Sequence, residues 1–172
     1  CLSLMAGLLL VPVVFLVVRE ACGNAWAGWL AALMVSVDRF SVIFSCEARP
    51  YAWVQLVTVI HFHLGWQYLR GGAAVIRRRL DWGRVGWITS GALLFHLHYT
   101  AALILVAEAV AWLVLQTAAF RTGAARGTLR KLDFLVLVLL CSPALPQLLS
   151  INQRRGSWAE FVPIPGLLGL LT

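Results

Sequence analysis

Charge is what this sequence most lacks. Lys, Arg, Asp and Glu make up 12% of the 172 residues and hydrophobic residues 61%, against about 25% and roughly 45–50% in a soluble domain. So few charges cannot solvate the surface of a domain this size, and the composition is that of an integral membrane protein. Apolar runs near the ~20 residues that cross hydrocarbon point to helices rather than to a transmembrane barrel, whose strands would alternate at every second residue. Cysteine is scarce, and Cys1, Cys22, Cys46 and Cys141 have the spacing of neither a disulfide framework nor a metal site. Residues 1–18 have no basic leader and no small-residue cleavage site and are followed by Arg19-Glu20, so they read as a transmembrane helix, not a signal peptide.

What is present is a series of apolar runs at about 1–18, 24–40, 51–69, 85–99, 101–118 and 132–149, with another beginning at 163. The fold class expected is all-α: a polytopic transmembrane helical bundle of six spans and a truncated seventh. Because the chain opens within one run and stops within another, it is expected to be an internal piece of a longer polypeptide. The net charge of +7 does not imply nucleic-acid binding, since the Arg residues cluster between runs and do not interleave with aromatics. Arg19, Arg70, Arg77, Arg78, Arg79, Arg84, Arg121, Arg126, Arg130 and Lys131 fall on one side of the expected topology, and Arg39, Arg49, Arg154 and Arg155 on the other. The positive-inside rule makes the first group cytoplasmic. The outward segments are then 38–50, 98–101 and 150–166, and membrane lipids are the expected surroundings.

Those outward segments hold most of the reactive side chains. Pro50 suits the first turn of a helix starting at 50 or 51 and pushes Arg49 towards extended geometry. Arg49 then stands at a helix N-terminus, where free N–H groups and the guanidinium fork suit a phosphate. Glu47 suits equally a salt bridge with Arg49 or Arg39 and a functional role, orienting a bound hydroxyl or ligating a cation. His98 and Tyr99 close the run from Val85 on the same side. His96 stands about 200° round the helix from His98, so the two share a site only if the helix breaks between them. Arg154, with Gln153 and Trp158, offers basic and aromatic surface in the third outward segment. Inside the runs, His61 and His63 read as satisfied interior histidines, and Glu108 as a carboxyl facing the bundle interior, protonated or paired.

Three groups of residues in order along the chain, Ser45-Cys46-Glu47-Ala48-Arg49-Pro50-Tyr51, His98-Tyr99, and Leu145-Pro146 with Gln153 and Phe161-Val162-Pro163-Ile164-Pro165, resemble the dolichyl-phosphate-mannose-protein mannosyltransferase-like membrane enzymes and their bacterial relatives, including the aminoarabinose transferases. The resemblance implies the C-type glycosyltransferase fold and inverting transfer of a sugar from a polyprenyl-phosphate donor to an acceptor hydroxyl at the non-cytoplasmic face of a bacterial inner membrane. It implies phosphate binding or positioning by Arg49, pocket organisation by Glu47, a lining of Tyr51, His98 and Tyr99, a contribution from Arg154, and a general-base carboxylate upstream of Cys1. No cofactor is required, although a divalent cation is compatible. Asp38, Cys46 and Val162 depart from the residues usual in relatives at those places. The alternative expectation is a non-enzymatic multispan protein such as a transporter, which would use Glu108, His61 and His63 along its pathway.

Overall fold

The computed structural model describes residues 2–47, 50–70, 82–121, 131–147 and 149–150. These are helical almost throughout, with no strand among them: α1 (Leu2–Cys22), α2 (Ala25–Val37), α3 (Arg39–Cys46), α4 (Tyr51–Arg70), α5 (Trp82–Leu97), α6 (Ala102–Arg121) and α7 (Lys131–Cys141), with short 3-10 turns at Tyr99–Ala101 and Ser142–Ala144. Expectations about residues 71–81, 122–130 and 151–172, including the seventh span, lie outside the described residues.

Helix α1 packs against α2, α3 and α4, α4 against α5, and α5 against α7. The register of the contacts gives the directions. Phe15 meets Trp29 with ring centroids 4.9 Å apart, so α1 and α2 form an antiparallel hairpin. Its turn is secured by Asn24, whose side chain accepts the Trp26 N–H at 2.8 Å as an N-cap. Ala6, Leu10 and Val14 cluster with Ala52 and Leu56, which sets α4 parallel to α1, and the small Ala6 and Ala52 let the backbones approach closely. His61 opposite Ser90 and Tyr51 opposite His98 make α4 and α5 antiparallel. The bundle therefore alternates up and down. Tyr51, His98 and the start of α1 lie at one end; Glu20, Tyr68, Arg84 and Asp133 lie at the other.

Two expectations change. The run 24–40 is not one helix: α2 ends at Val37, and α3 leaves it at 58°, so residues 39–46 form a helix where an outward loop was expected. Asp38 is the cause. Its extended backbone (φ −66, ψ 121) ends α2, and its carboxylate accepts the Ser41 N–H at 2.7 Å to start α3. Nor are six spans found as six long apolar helices. Among the described residues α1 alone is long and apolar enough to cross a membrane, with the bent α2–α3 pair a second if it is one span. Helix α4 carries Gln55, His61, His63 and Gln67, and α7 ends after 11 residues at the turn containing Pro143.

The Ser41 backbone N–H first, and the Ser41 side chain second, hold the Asp38 carboxyl below its ordinary 3.8. A depressed carboxyl stabilises the fold fully above its unfolded value and loses that contribution as pH falls through the folded one. The α2–α3 corner is thus expected to keep its cap at neutral pH and to lose it in acid below pH 3.8. Asp38→Asn retains a capping side chain and should remove this part of the acid sensitivity, read as the pH dependence of thermal unfolding between neutral and strongly acid buffer.

Candidate functional site

At the first end of the bundle, residues distant in sequence converge. Val54 N–H donates to the Pro50 carbonyl at 2.9 Å, so α4 begins at Tyr51, as the proline predicts. The Tyr51 ring packs against His98 at 5.3 Å and Phe44 at 5.0 Å. His98 stacks on Tyr99 at 5.2 Å with 13° between planes, and Phe44 continues to Phe40 at 6.3 Å. Phe40, Phe44, Tyr51, His98 and Tyr99 thus form one aromatic ladder across α3, α4 and the end of α5. Glu47 closes α3, its N–H donating to the Ile43 carbonyl at 3.0 Å, and directly precedes the chain leading into α4. Arg49 and Arg154 lie outside the described residues.

The break that would let His96 and His98 share a site is present. Helix α5 ends at Leu97, His98 is extended (φ −157, ψ 118), and a 3-10 turn follows. Both histidines line one cavity of about 110 Å³ together with Tyr99 and Gln147. His96 Nε2–H donates to the Leu140 carbonyl at 2.9 Å, and His98 Nδ1 lies 2.5 Å from the Thr100 hydroxyl. Phe40, Phe44 and Gln147 went unnoticed in the sequence. Phe40 and Phe44 are one helical turn apart and so share a face of α3, a signal that appears only once 39–46 is known to be helical.

A second polar constellation occupies the middle of the bundle. His61 is fully buried, while Glu108 is 11% exposed. His61 Nε2 stands 2.8 Å from Glu108 Oε2, and Trp87 Nε1–H donates to Glu108 Oε1 at 2.9 Å. Ser90 Oγ lies 2.9 Å from His61 Nδ1 and 3.1 Å from the Trp87 carbonyl. A hydroxyl has one hydrogen. When Ser90 donates it to Nδ1, His61 is neutral and donates from Nε2 to Glu108. When Ser90 turns it to the Trp87 carbonyl, its oxygen is left to accept from Nδ1–H, so the serine rotor and the placing of hydrogen on the ring go together.

Two glycines make room for this arrangement. A Cβ on Gly65 would stand 2.9 Å from Glu108 Oε1 and 3.2 Å from Trp87 Nε1; on Gly91 it would stand 3.0 Å from His61 Cε1 and 3.1 Å from Leu137. The interior location expected for His61 and Glu108 is what the structure has. His63 is only partly buried, at 20% exposed, and lies 3.5 Å from Glu20 and 2.9 Å from Gln67 at the junction of α1 and α4.

Further along the same core, Asp133 is fully buried and accepts from Tyr68 OH at 2.9 Å and from Arg84 Nε at 2.7 Å, with Arg84 Nη2 also against the same carboxylate. Arg84 was expected to mark topology only; it is a structural ion-pair partner. Trp87 lies between the two constellations, stacked on His61 at 5.8 Å and on Tyr68 at 6.0 Å.

Beside Glu108 a groove of about 510 Å³ opens between α4 and α6, lined by Phe62, Gly65, Trp66, Leu103, Glu108 and Trp112 among others. Among the described residues no three His, Cys, Asp or Glu side chains converge as a metal site. The chain matches no protein-family model, no curated protein and no solved structure.

Proposed function

We propose that the chain is part of an integral membrane glycosyltransferase that moves a sugar from a polyprenyl-phosphate carrier to an acceptor hydroxyl at the non-cytoplasmic face, in the manner the sequence resemblance implies. The observation that carries this reading is the meeting of Tyr51, His98 and Tyr99 at the bundle end where Glu47 leads through Arg49 into α4. Stacked rings present flat apolar faces with polar edges, which suit the C–H face of a hexose or the first isoprene unit of a carrier. Arg49, immediately before the Pro50-Tyr51 helix start, supplies the cation that a departing phosphate needs as its charge grows in the transition state.

A membrane setting is supported by composition and by the surface, and a site on the periplasmic side of a bacterial inner membrane is what the sequence resemblance adds. Leu8 (66% exposed), Leu30 (61%), Leu103 (73%) and Leu139 (60%) point away from the core on four helices, and apolar surface spread so widely is costly in water. Under this reading Arg154 is a further candidate to bind the carrier phosphate.

The test is transfer of labelled hexose from polyprenyl phosphate by the full-length polypeptide in proteoliposomes. Arg49→Ala is expected to lower the rate about 10²-fold, the typical cost of removing one group that stabilises developing negative charge, with insertion intact. Unchanged turnover would falsify the phosphate role. A transporter is the second reading, favoured by the buried His61–Glu108 pair, which sugar transfer does not use; vesicles that take up solute and transfer no sugar would select it.

A further inference from the structure

The groove between α4 and α6 has an uneven chemistry. Among the described residues Glu108 is the one charged side chain lining it, and Phe62, Trp66 and Trp112 bring aromatic rings to its walls. Its volume of about 510 Å³ falls within the roughly 300–1,000 Å³ of small-molecule sites. From Tyr51 to Phe62 the helix advances roughly 16 Å at its usual rise, so the groove is well separated from the aromatic ladder along the bundle.

We propose that this groove binds a lipophilic cation, an ammonium or phosphonium centre bearing apolar substituents, with the positive charge against Glu108. Each Glu108 oxygen takes one hydrogen bond from the core side, from Trp87 and from the His61 edge. A carboxylate oxygen has two acceptor sites, so each keeps one. An apolar helix or acyl chain laid in the groove would bury those sites without a partner, at the cost of desolvating a polar group. An anion would meet like charge. A cation gains the carboxylate, and the aromatic side chains Phe62 and Trp112 on the same walls suit the apolar substituents around its charge. Gly65 keeps this geometry open: a side chain there would press on Glu108 Oε1.

The probe is tetraphenylphosphonium, compared with tetraphenylborate, which has nearly the same size and shape and the opposite charge. Binding is measured by equilibrium dialysis of the full-length protein in nanodiscs of zwitterionic phosphatidylcholine, with uptake by empty nanodiscs subtracted. The expected result is saturable binding of the phosphonium and none of the borate, weakened roughly tenfold or more in Glu108→Gln, as for loss of one charged hydrogen-bonding partner. Ala107→Trp, which fills the groove and leaves Glu108 in place, should remove binding; it keeps the proposal testable if Glu108→Gln does not fold. Phosphonium binding that is unsaturable, equal in Glu108→Gln, indifferent to Ala107→Trp, or matched by the borate overturns it. So does an absence of binding in the unsubstituted protein, the result if another part of the polypeptide fills the groove.

Discussion

Asp133→Ala is expected to lower the stability of the purified protein by about 3–5 kcal/mol, the usual cost of stripping a buried ion pair of one partner. Three features place this substitution at the severe end. The Asp133 side chain is fully buried and Arg84 is 25% exposed, so little water stands by to replace the lost carboxylate. The carboxylate also accepts the Tyr68 hydroxyl, which joins the end of α4 to the starts of α5 and α7. And Asp133 lies in the first turn of α7, where a negative charge is favoured by the unpaired N–H groups of the helix end. In a chain of this length the loss corresponds to a fall of about 10 °C in melting temperature. Pairing Asp133→Leu with Arg84→Met should recover most of it, because removing both charges leaves neither buried alone. A melting temperature unchanged in Asp133→Ala would show that the pair contributes no net stability.

How much of this was legible beforehand differs from residue to residue. The start of α4 could be read because Pro50 acts locally: it fixes its own φ and lacks an N–H, so it marks a helix start wherever the tertiary structure puts it. The interior placement of Glu108 was legible from cost alone, as a lone acid in an apolar run needs a partner or a proton. Its partner was not, because His61 lies 47 positions away and the rotation of each helix about its own axis is set by packing of whole faces. The same holds for Arg84 and Asp133, 49 positions apart. Asp133 sits beside Lys131 at the edge of a run, where composition suggests a solvated boundary. The break at Asp38 was readable in principle: Asp is a preferred N-cap residue, whose side chain accepts a backbone N–H of the first turn. The apolar continuity of 24–40 outweighed it. At the candidate site, Tyr51, His98 and Tyr99 were found from their position at run ends, whereas Phe40 and Phe44 were hidden by the loop assignment of 38–50.

Trp87 is where the second large effect is expected. Its side chain is fully buried, lies between the rings of His61 and Tyr68, meets Phe134 edge-on at 5.4 Å, and donates to Glu108. Trp87→Ala combines a large cavity with a lost donor, and about 3–5 kcal/mol of destabilisation is expected from the cavity alone. Trp87→Phe separates the two contributions. The smaller ring keeps much of the packing and removes only the indole N–H, leaving Glu108 Oε1 without its donor at a cost of about 1–3 kcal/mol. If the hydrogen bond is what matters in Trp87→Phe, then Glu108→Ala, which removes the acceptor, should cost less in that background than in the unsubstituted protein, since the bond is already gone; thermal unfolding of the four proteins gives this coupling directly. Additive losses would mean that Trp87 acts through packing alone. A coupling well above zero would mean that the indole N–H holds the carboxylate in the position from which Glu108 faces the groove.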